Sequence, residues 1–145
     1  SLVLYDRNIG ELTNDVLVGQ TFTSPTASLS AIDIGFATFS SRANTQDVIV
    51  TLYNGIGGET LRTVVTSATD IEDRSWHRFS FEPLTVEASR ELYITVTSPT
   101  STPGDAVTVL YANADIASGS MQQQRAATSE LKTSLGADIA YRLYP

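Results

Sequence analysis

The chain of 145 residues lacks cysteine altogether and holds one histidine, one tryptophan and one methionine. Without cysteine there is no thiol catalysis, no zinc site with thiolate ligands and no disulfide framework. A single histidine would leave zinc dependent on carboxylates, which is poor chemistry for that metal. At this length the chain needs neither a disulfide nor a metal to fold, because a domain of its size buries about 70% of its unfolded surface.

Positive charge is also scarce, with 9 Lys and Arg against 16 Asp and Glu and a net charge of -7. Nucleic acids and anionic membranes are bound through Lys and Arg, so we expect no nucleic-acid partner. No apolar run approaches the roughly 20 residues that span a bilayer, so we expect no membrane insertion. No signal peptide is evident and the chain begins with Ser1 instead of Met. We expect a domain excised from a larger protein, or a processed chain.

Short runs rich in Val, Ile, Thr and Tyr fill most of the sequence, and apolar residues alternate within them. The alternation is clearest in two runs, with Ile32, Ile34 and Phe36 in one and Leu92, Ile94 and Val96 in the other. Period two is the pattern of β-strands that bury one face. Turn signals separate eight to nine such strands, and almost no helix is predicted. The sequence therefore predicts one all-β domain over residues 1–145, an antiparallel two-sheet β-sandwich.

Two segments are less regular than the rest. Residues 1–15 begin with an apolar patch and then turn polar, which is typical of an edge strand or of a linker. Residues 125–137 contain good helix formers, so a short helix is one interpretation and a loop with the start of a strand is the other.

The order of the motifs resembles a known kind of domain. The motifs are QTFT (20 to 23), LSAIDIGFAT (29 to 38), IEDRSWHRFSFEPL (71 to 84), ELYITVTSP (91 to 99) and DIAYRLYP (138 to 145). Together they resemble the jelly-roll accessory domains, carbohydrate-binding-module-like and galactose-binding-like, of bacterial cell-surface and glycan-processing proteins. The resemblance implies jelly-roll topology, an extracellular or periplasmic location, an oligo- or polysaccharide ligand and contact with other domains of the parent protein. Many such domains carry a structural calcium ion, and we expect no cofactor in this chain apart from such an ion.

Four residues are candidates for a carbohydrate site. Strand parity turns them away from the core, and they are Tyr53, Trp76, Arg78 and Tyr93. A pyranose packs its flat face on an aromatic ring, and a guanidinium forks onto hydroxyls or carboxylates. The site would lie on one outer sheet surface, if the strands share a sheet, or at the loop end near Trp76. The alternative is that Trp76 is packing material and the others are ordinary cross-strand pairs.

Rare and acidic residues crowd the stretch 70–77. His77 has the parity of Phe79 and Phe81, so a half-buried, hydrogen-bonded histidine is expected. Calcium prefers oxygen ligands at short spacing, and the candidates for it are Asp70, Glu72 and Asp73. Their spacing is not that of an EF-hand and Arg74 adjoins them, so solvated turn acids are the favoured interpretation.

Signals of catalysis are missing from the sequence. There is no GxSxG elbow, and nothing singles out a glycosidase pair among the sixteen acids. The run NGIGG (54 to 58) lacks the Lys-Ser/Thr ending of a phosphate loop. We therefore expect a non-catalytic carbohydrate-binding module of a larger extracytoplasmic protein, and not an enzyme. The alternative is a structural or adhesive β-sandwich domain that binds protein and has no sugar ligand.

Overall fold

The computed structural model describes residues 2–39, 43–87, 89–113, 119–125, 131–134 and 137–145. Two 3-10 turns, Leu2–Leu4 and Ala68–Asp70, are the helical segments of these residues. Among the described residues, therefore, no helix is long and apolar enough to cross a membrane. The strands in chain order are β1 (Arg7–Asn8), β2 (Val16–Thr23), β3 (Ser28–Ala37), β4 (Asp47–Tyr53), β5 (Thr60–Ser67), β6 (Ser75–Thr85), β7 (Glu91–Thr97), β8 (Thr108–Ala112), β9 (Met121–Arg125), β10 (Leu131–Ser134), β11 (Asp138–Ile139) and β12 (Tyr141–Tyr144).

These strands form two antiparallel sheets of six. Sheet I has the order β1-β8-β3-β12, with β6 also paired to β3 and β11 to β8. Sheet II has the order β10-β9-β2-β7-β4-β5. The two sheets bury their facing surfaces against each other, which confirms the all-β antiparallel sandwich that the sequence predicted. The jelly-roll connectivity stays a prediction.

The described residues form twelve strands, whereas the sequence predicted eight to nine. The extra strands include β1 and β11, which are two residues long and pair with β8 through their backbones. Pairs this short show no alternation in the sequence. Strand β10 lies within 125–137 and pairs with β9, so the helix interpretation is wrong for 131–134. Residues 126–130, 135 and 136 of that segment lie outside the described residues.

The first residues contain an edge strand, which is one of the two structures that their pattern left open, and a 3-10 turn that it did not predict. Leu2–Leu4 is a 3-10 turn, closed by the N–H of Tyr5 on the carbonyl of Leu2 at 2.9 Å. Arg7–Asn8 is indeed an edge strand, paired to β8. Leu2 packs on the outer face of sheet I, where a Cβ at Gly35 would lie 2.6 Å from its Cδ2. Only glycine at position 35 lets this segment approach the sheet so closely.

The core contains the apolar side chains that alternate inward from both sheets. The three large aromatic rings among them are fully buried, with Phe22 in sheet II and Phe36 and Phe79 in sheet I. Phe36 and Phe79 meet with ring centroids 6.0 Å apart. Strand parity placed Phe36 and Phe79 on the core faces of their strands, so the pattern of the sequence predicts this part of the core.

One buried hydrogen-bonded link crosses the core between the sheets. The amide of Gln20, on β2, donates to a carboxylate oxygen of Asp138 at 2.8 Å, and its oxygen accepts from the N–H of Ile139 at 2.9 Å. Gln20 and Asp138 are both inaccessible to solvent. The next residue, Ala140, bonds Leu110 through its N–H and Gly35 through its carbonyl, so the chain is held between β8 and β3. Gln20 thereby anchors β11, which directly precedes the final strand, β12.

Side chains close the sandwich where β5 and β6 meet, since these strands belong to different sheets. The guanidinium of Arg62 donates to the carbonyls of Glu82 at 2.9 Å and Pro83 at 3.2 Å. The Nε2 atom of His77 lies 3.1 Å from Oγ1 of Thr66. The half-buried, hydrogen-bonded histidine expected from the sequence is therefore confirmed.

Acid is expected to weaken the fold through His77. Burial lowers the pKa of His77, although the charges of Asp70 and Asp33 act in the opposite direction. Between this lowered pKa and the unfolded value of about 6.5, the unfolded chain binds the proton more readily. The stability that His77 contributes is therefore present above about pH 6.5 and is lost as pH falls through the folded pKa.

Urea unfolding at pH 7.5 and at pH 5 measures this effect in the wild type and in His77→Gln. The wild type should lose more stability between the two pH values than the variant, because glutamine does not titrate. Equal losses in both proteins would show that His77 does not couple folding to protonation.

Candidate functional site

The four candidate residues lie on two opposite faces of the molecule. Tyr53, on β4, and Tyr93, on β7, lie on the outer face of sheet II. Trp76 and Arg78, on β6, lie on the outer face of sheet I. Strand β6 pairs with β3 and not with β7, the next strand along the chain, so one shared surface does not form. Each pair therefore has to be considered as a separate site.

Tyr53 and Tyr93 form the centre of a cavity on sheet II. They are directly opposite in the pairing of β4 with β7, with ring centroids 6.0 Å apart and planes inclined by 37°. The cavity has a volume of about 240 Å³ and is lined by Leu17, Tyr53, Ile56, Gly57, Gly58, Tyr93, Thr95 and Gln124. We call it the tyrosine cavity. Ile56, in the β4–β5 connection, is 52% exposed and forms part of its rim.

Tyr93 forms the floor of the tyrosine cavity. It points outward from sheet II and yet is only 6% exposed. Its ring lies over Gly19 on the neighbouring strand β2, where an added Cβ would be 2.7 Å from Cε1 and Cζ. Burial, with a smaller effect of Tyr53, raises the pKa of Tyr93 to about 12. The phenol therefore stays neutral at physiological pH and can both donate and accept a hydrogen bond.

The lining of the tyrosine cavity combines aromatic, aliphatic and neutral polar side chains. Its eight described residues include no carboxylate, no imidazole and no basic group. The half-buried ring of Tyr53 offers an apolar surface beside the buried ring of Tyr93, while Thr95 and Gln124 bring a hydroxyl and an amide. Such a surface suits a ligand with an apolar face and hydroxyls around its edge.

A second cavity adjoins the first along the same face. Its volume is about 490 Å³, and its lining consists of Asn14, Asp15, Val16, Leu17, Thr97, Pro99 and Gln124. Leu17 and Gln124 line both cavities, so the two adjoin each other at these residues. The second cavity extends the concave surface from the tyrosines toward the start of β2.

Sheet I carries a polar cluster around the other two candidates. Asp33, on β3, is directly opposite Arg78 on β6 and Arg142 on β12. Its carboxylate accepts from Nε of Arg78 at 2.9 Å, from Nη2 of Arg142 at 2.8 Å and from the hydroxyl of Tyr144 at 3.0 Å. Burial alone would raise the pKa of Asp33, but these bonds lower it below its usual value. We call Asp33, Trp76, Arg78, Arg142 and Tyr144 the arginine cluster.

Both guanidiniums of the arginine cluster also stack on aromatic rings. Cζ of Arg78 lies 3.9 Å from the centroid of the Tyr144 ring, and Cζ of Arg142 lies 4.1 Å from that of the Trp76 ring. Tyr5 contacts the Trp76 ring edge-on, with centroids 6.1 Å apart. Arg142 thus covers one face of the Trp76 ring, which is partly buried against a small apolar cluster on the outer face of sheet I.

The three acids considered for calcium do not converge. Asp73 uses Oδ1 to accept from the N–H of Thr38 at 2.7 Å. Asp70 ends a 3-10 turn and is exposed, as is Glu72. Across the described residues, no group of three or more His, Asp or Glu side chains is placed to hold a metal ion. Asp73 at least has a structural role, since it caps the end of β3.

The sequence interpretation missed three members of the arginine cluster, Asp33, Arg142 and Tyr144. A signal for them existed, because Asp33 is the one charged residue of LSAIDIGFATF and parity turns it outward. Parity also turns Arg142 and Tyr144 outward in DIAYRLYP. No local pattern indicates that β12, with Arg142 and Tyr144, lies beside β3, with Asp33, because this depends on which strands pair.

Two comparisons with known proteins gave no match. No protein-family model matches the chain, and no curated protein does. The interpretation of its function therefore depends on the surfaces described above.

Proposed function

We propose that this chain is a non-catalytic carbohydrate-binding module whose ligand occupies the tyrosine cavity. The observation that carries the proposal is the pair of tilted rings, Tyr53 and Tyr93, in an outward-facing cavity without ionisable groups other than the two phenols. A pyranose has one face of C–H groups and an edge of hydroxyls. The rings match the first, and Thr95 with Gln124 matches the second.

The size of the surface supports an oligo- or polysaccharide. The tyrosine cavity of about 240 Å³ shares Leu17 and Gln124 with the neighbouring cavity of about 490 Å³. Binding sites for small molecules are typically about 300 to 1,000 Å³ in size, so the two adjoining cavities together offer room for more than one sugar ring. A chain of sugars would run across strands β4, β7 and β2.

The setting of the module is part of the same proposal. The jelly-roll-like motif order supports attachment to a larger protein with an extracellular or periplasmic location. Other domains of that protein would be its protein partners. The catalytic chemistry, under this proposal, belongs to those domains.

Substitution of Tyr53 is expected to weaken sugar binding strongly. Tyr53→Ala removes one stacking face, and loss of about 1.5 kcal/mol of aromatic contact corresponds to about tenfold weaker binding. Tyr53→Phe keeps the ring and should bind nearly as well as the wild type. Isothermal titration calorimetry with a panel of neutral oligosaccharides measures both.

Trp76→Phe on sheet I is the matched aromatic control and should leave neutral sugar binding unchanged. The fluorescence of the single tryptophan should also stay constant during the titration, because it lies on the opposite sheet. Equal affinities for the wild type and Tyr53→Ala would refute the tyrosine cavity as the site. No heat with any neutral oligosaccharide, together with a stable oligomer by light scattering, would favour the structural or adhesive alternative.

A further inference from the structure

The arginine cluster carries more positive charge than its own carboxylate needs. Asp33 is 2% exposed, and one guanidinium would neutralise it, yet Arg78 and Arg142 both bond to it. The cluster therefore keeps one net positive charge in a chain whose net charge is -7. Two like charges held on one carboxylate repel each other, and a second anion would balance them.

Both guanidiniums have donors to spare. Arg78 donates to Asp33 through Nε and Nη2, and Arg142 donates through Nη2. Within the ranges that the structure describes, Nη1 of neither arginine has a protein acceptor. The two side chains are 52% and 44% exposed, so these N–H groups are open to a ligand from solvent.

The spare donors are also held in place before any ligand arrives. Each guanidinium is held by an ion pair to Asp33 and by stacking on an aromatic ring. The distance from Cζ to the ring centroid is 3.9 Å for Arg78 and 4.1 Å for Arg142. A ligand would therefore order few side chains when it binds, and the entropic cost of binding is reduced accordingly. An exposed arginine on an ordinary surface lacks this advantage.

We infer that the arginine cluster is a second binding site, separate from the tyrosine cavity, and that it takes the carboxylate of an acidic sugar. A single carboxylate brings the charges of the site to two positive and two negative. Its planar pair of oxygens matches the fork of N–H groups on a guanidinium. This inference stands independently of neutral sugar binding on sheet II.

The position of the cluster favours a saccharide over an acidic peptide. Extended peptides bind chiefly by adding main-chain hydrogen bonds at the edge of a sheet. The arginine cluster lies on the face of three paired strands, with Asp33 on β3 between β6 and β12. The backbone of β3 is paired on both sides there, so only side chains face the ligand. A saccharide can bind through side chains alone, so this position suits a saccharide better than a peptide.

Titration of the wild type with a uronate trisaccharide tests the inference through Trp76. This tryptophan contacts Arg142, so its fluorescence should change when a carboxylate draws on that guanidinium. The methyl ester of the same trisaccharide has no charge and should give no change. An ester that binds as well as the acid, or no response to the acid at all, would overturn the inference.

Calorimetry on variants locates the site. Arg78→Gln and Arg142→Gln each leave one arginine for Asp33, and each should weaken uronate binding about tenfold, since a bond to a charged group is lost. Arg90→Gln changes the net charge equally on the loop before β7 and should bind as the wild type does. Tyr53→Ala should keep full uronate affinity, which separates this site from the tyrosine cavity. Unchanged affinity in both arginine cluster variants would contradict the assignment.

Other anions provide the last comparison. A sulfated trisaccharide and an acidic peptide of equal charge should both bind more weakly than the uronate. Tighter binding of the sulfate ester would refute the carboxylate, and tighter binding of the peptide would refute the saccharide.

Discussion

Replacement of Asp33 by alanine is expected to destabilise the fold by about 3 kcal/mol, because it leaves two neighbouring guanidiniums without their shared counter-ion. The carboxylate accepts three hydrogen bonds at 2.8 to 3.0 Å, two from arginines and one from Tyr144. All three donors lose their partner together. The estimate is at the lower end for a buried pair, since both arginines are about half exposed to water.

Urea unfolding at pH 7 measures this loss. Asp47→Ala is the matched control, because Asp47 is an exposed aspartate at the start of β4, and its loss should be within about 0.5 kcal/mol of zero. Asp33→Asn keeps the shape of the side chain and should still destabilise, since it removes the charge. A change at Asp33 no larger than that at Asp47 would mean that the ion pairs contribute little.

The same carboxylate predicts a loss of stability in acid. The pKa of Asp33 is lower in the folded protein, so the unfolded chain takes up the proton first as pH falls. The contribution of Asp33 is therefore complete above the unfolded pKa of about 4 and disappears as pH falls through the folded pKa. In Asp33→Ala this part of the acid dependence should be absent from the unfolding profile.

The other large effect is expected at Gln20. Gln20→Met keeps the length of the side chain but removes an amide that serves Asp138 at 2.8 Å and Ile139 at 2.9 Å. Both of these groups lie in the interior, where the loss of a hydrogen bond costs more than it does at the surface. We expect a loss of about 3 kcal/mol of unfolding free energy.

The part-exposed Gln46 offers the control, and Gln46→Met should cost less than about 1 kcal/mol. A double-mutant cycle with Asp138→Asn isolates the contact between Gln20 and Asp138. The two changes should be non-additive by about 1 kcal/mol or more. Additive losses would show that the two residues do not stabilise each other.

Much of the fold could be predicted because strand parity is a local property. Successive side chains of a strand point to opposite faces, so Ile32 and Phe36 go inward wherever their strand lies. The same rule correctly placed His77 beside Phe79 and turned Tyr53 outward. The rule failed for β1 and β11, which are too short to show alternation.

The candidate site was predictable as single residues and not as a set. Each of Tyr53, Trp76, Arg78 and Tyr93 points away from the core as expected. Tyr53 meets Tyr93 because β4 pairs with β7, although the two tyrosines are 40 positions apart in the sequence. Trp76 and Arg78 are closer to Tyr93 along the chain and lie on the other sheet.

The sequence by itself determined the class of fold, the lack of thiol chemistry and the inward or outward direction of most strand residues. Composition and period two suffice for these properties, because they depend on each residue and its nearest neighbours. The tertiary structure alone decided which outward residues share a face. It brings Gln20 to Asp138 and places Asp33 between two arginines. Such contacts depend on long-range strand pairing, and no local pattern specifies which strands become neighbours.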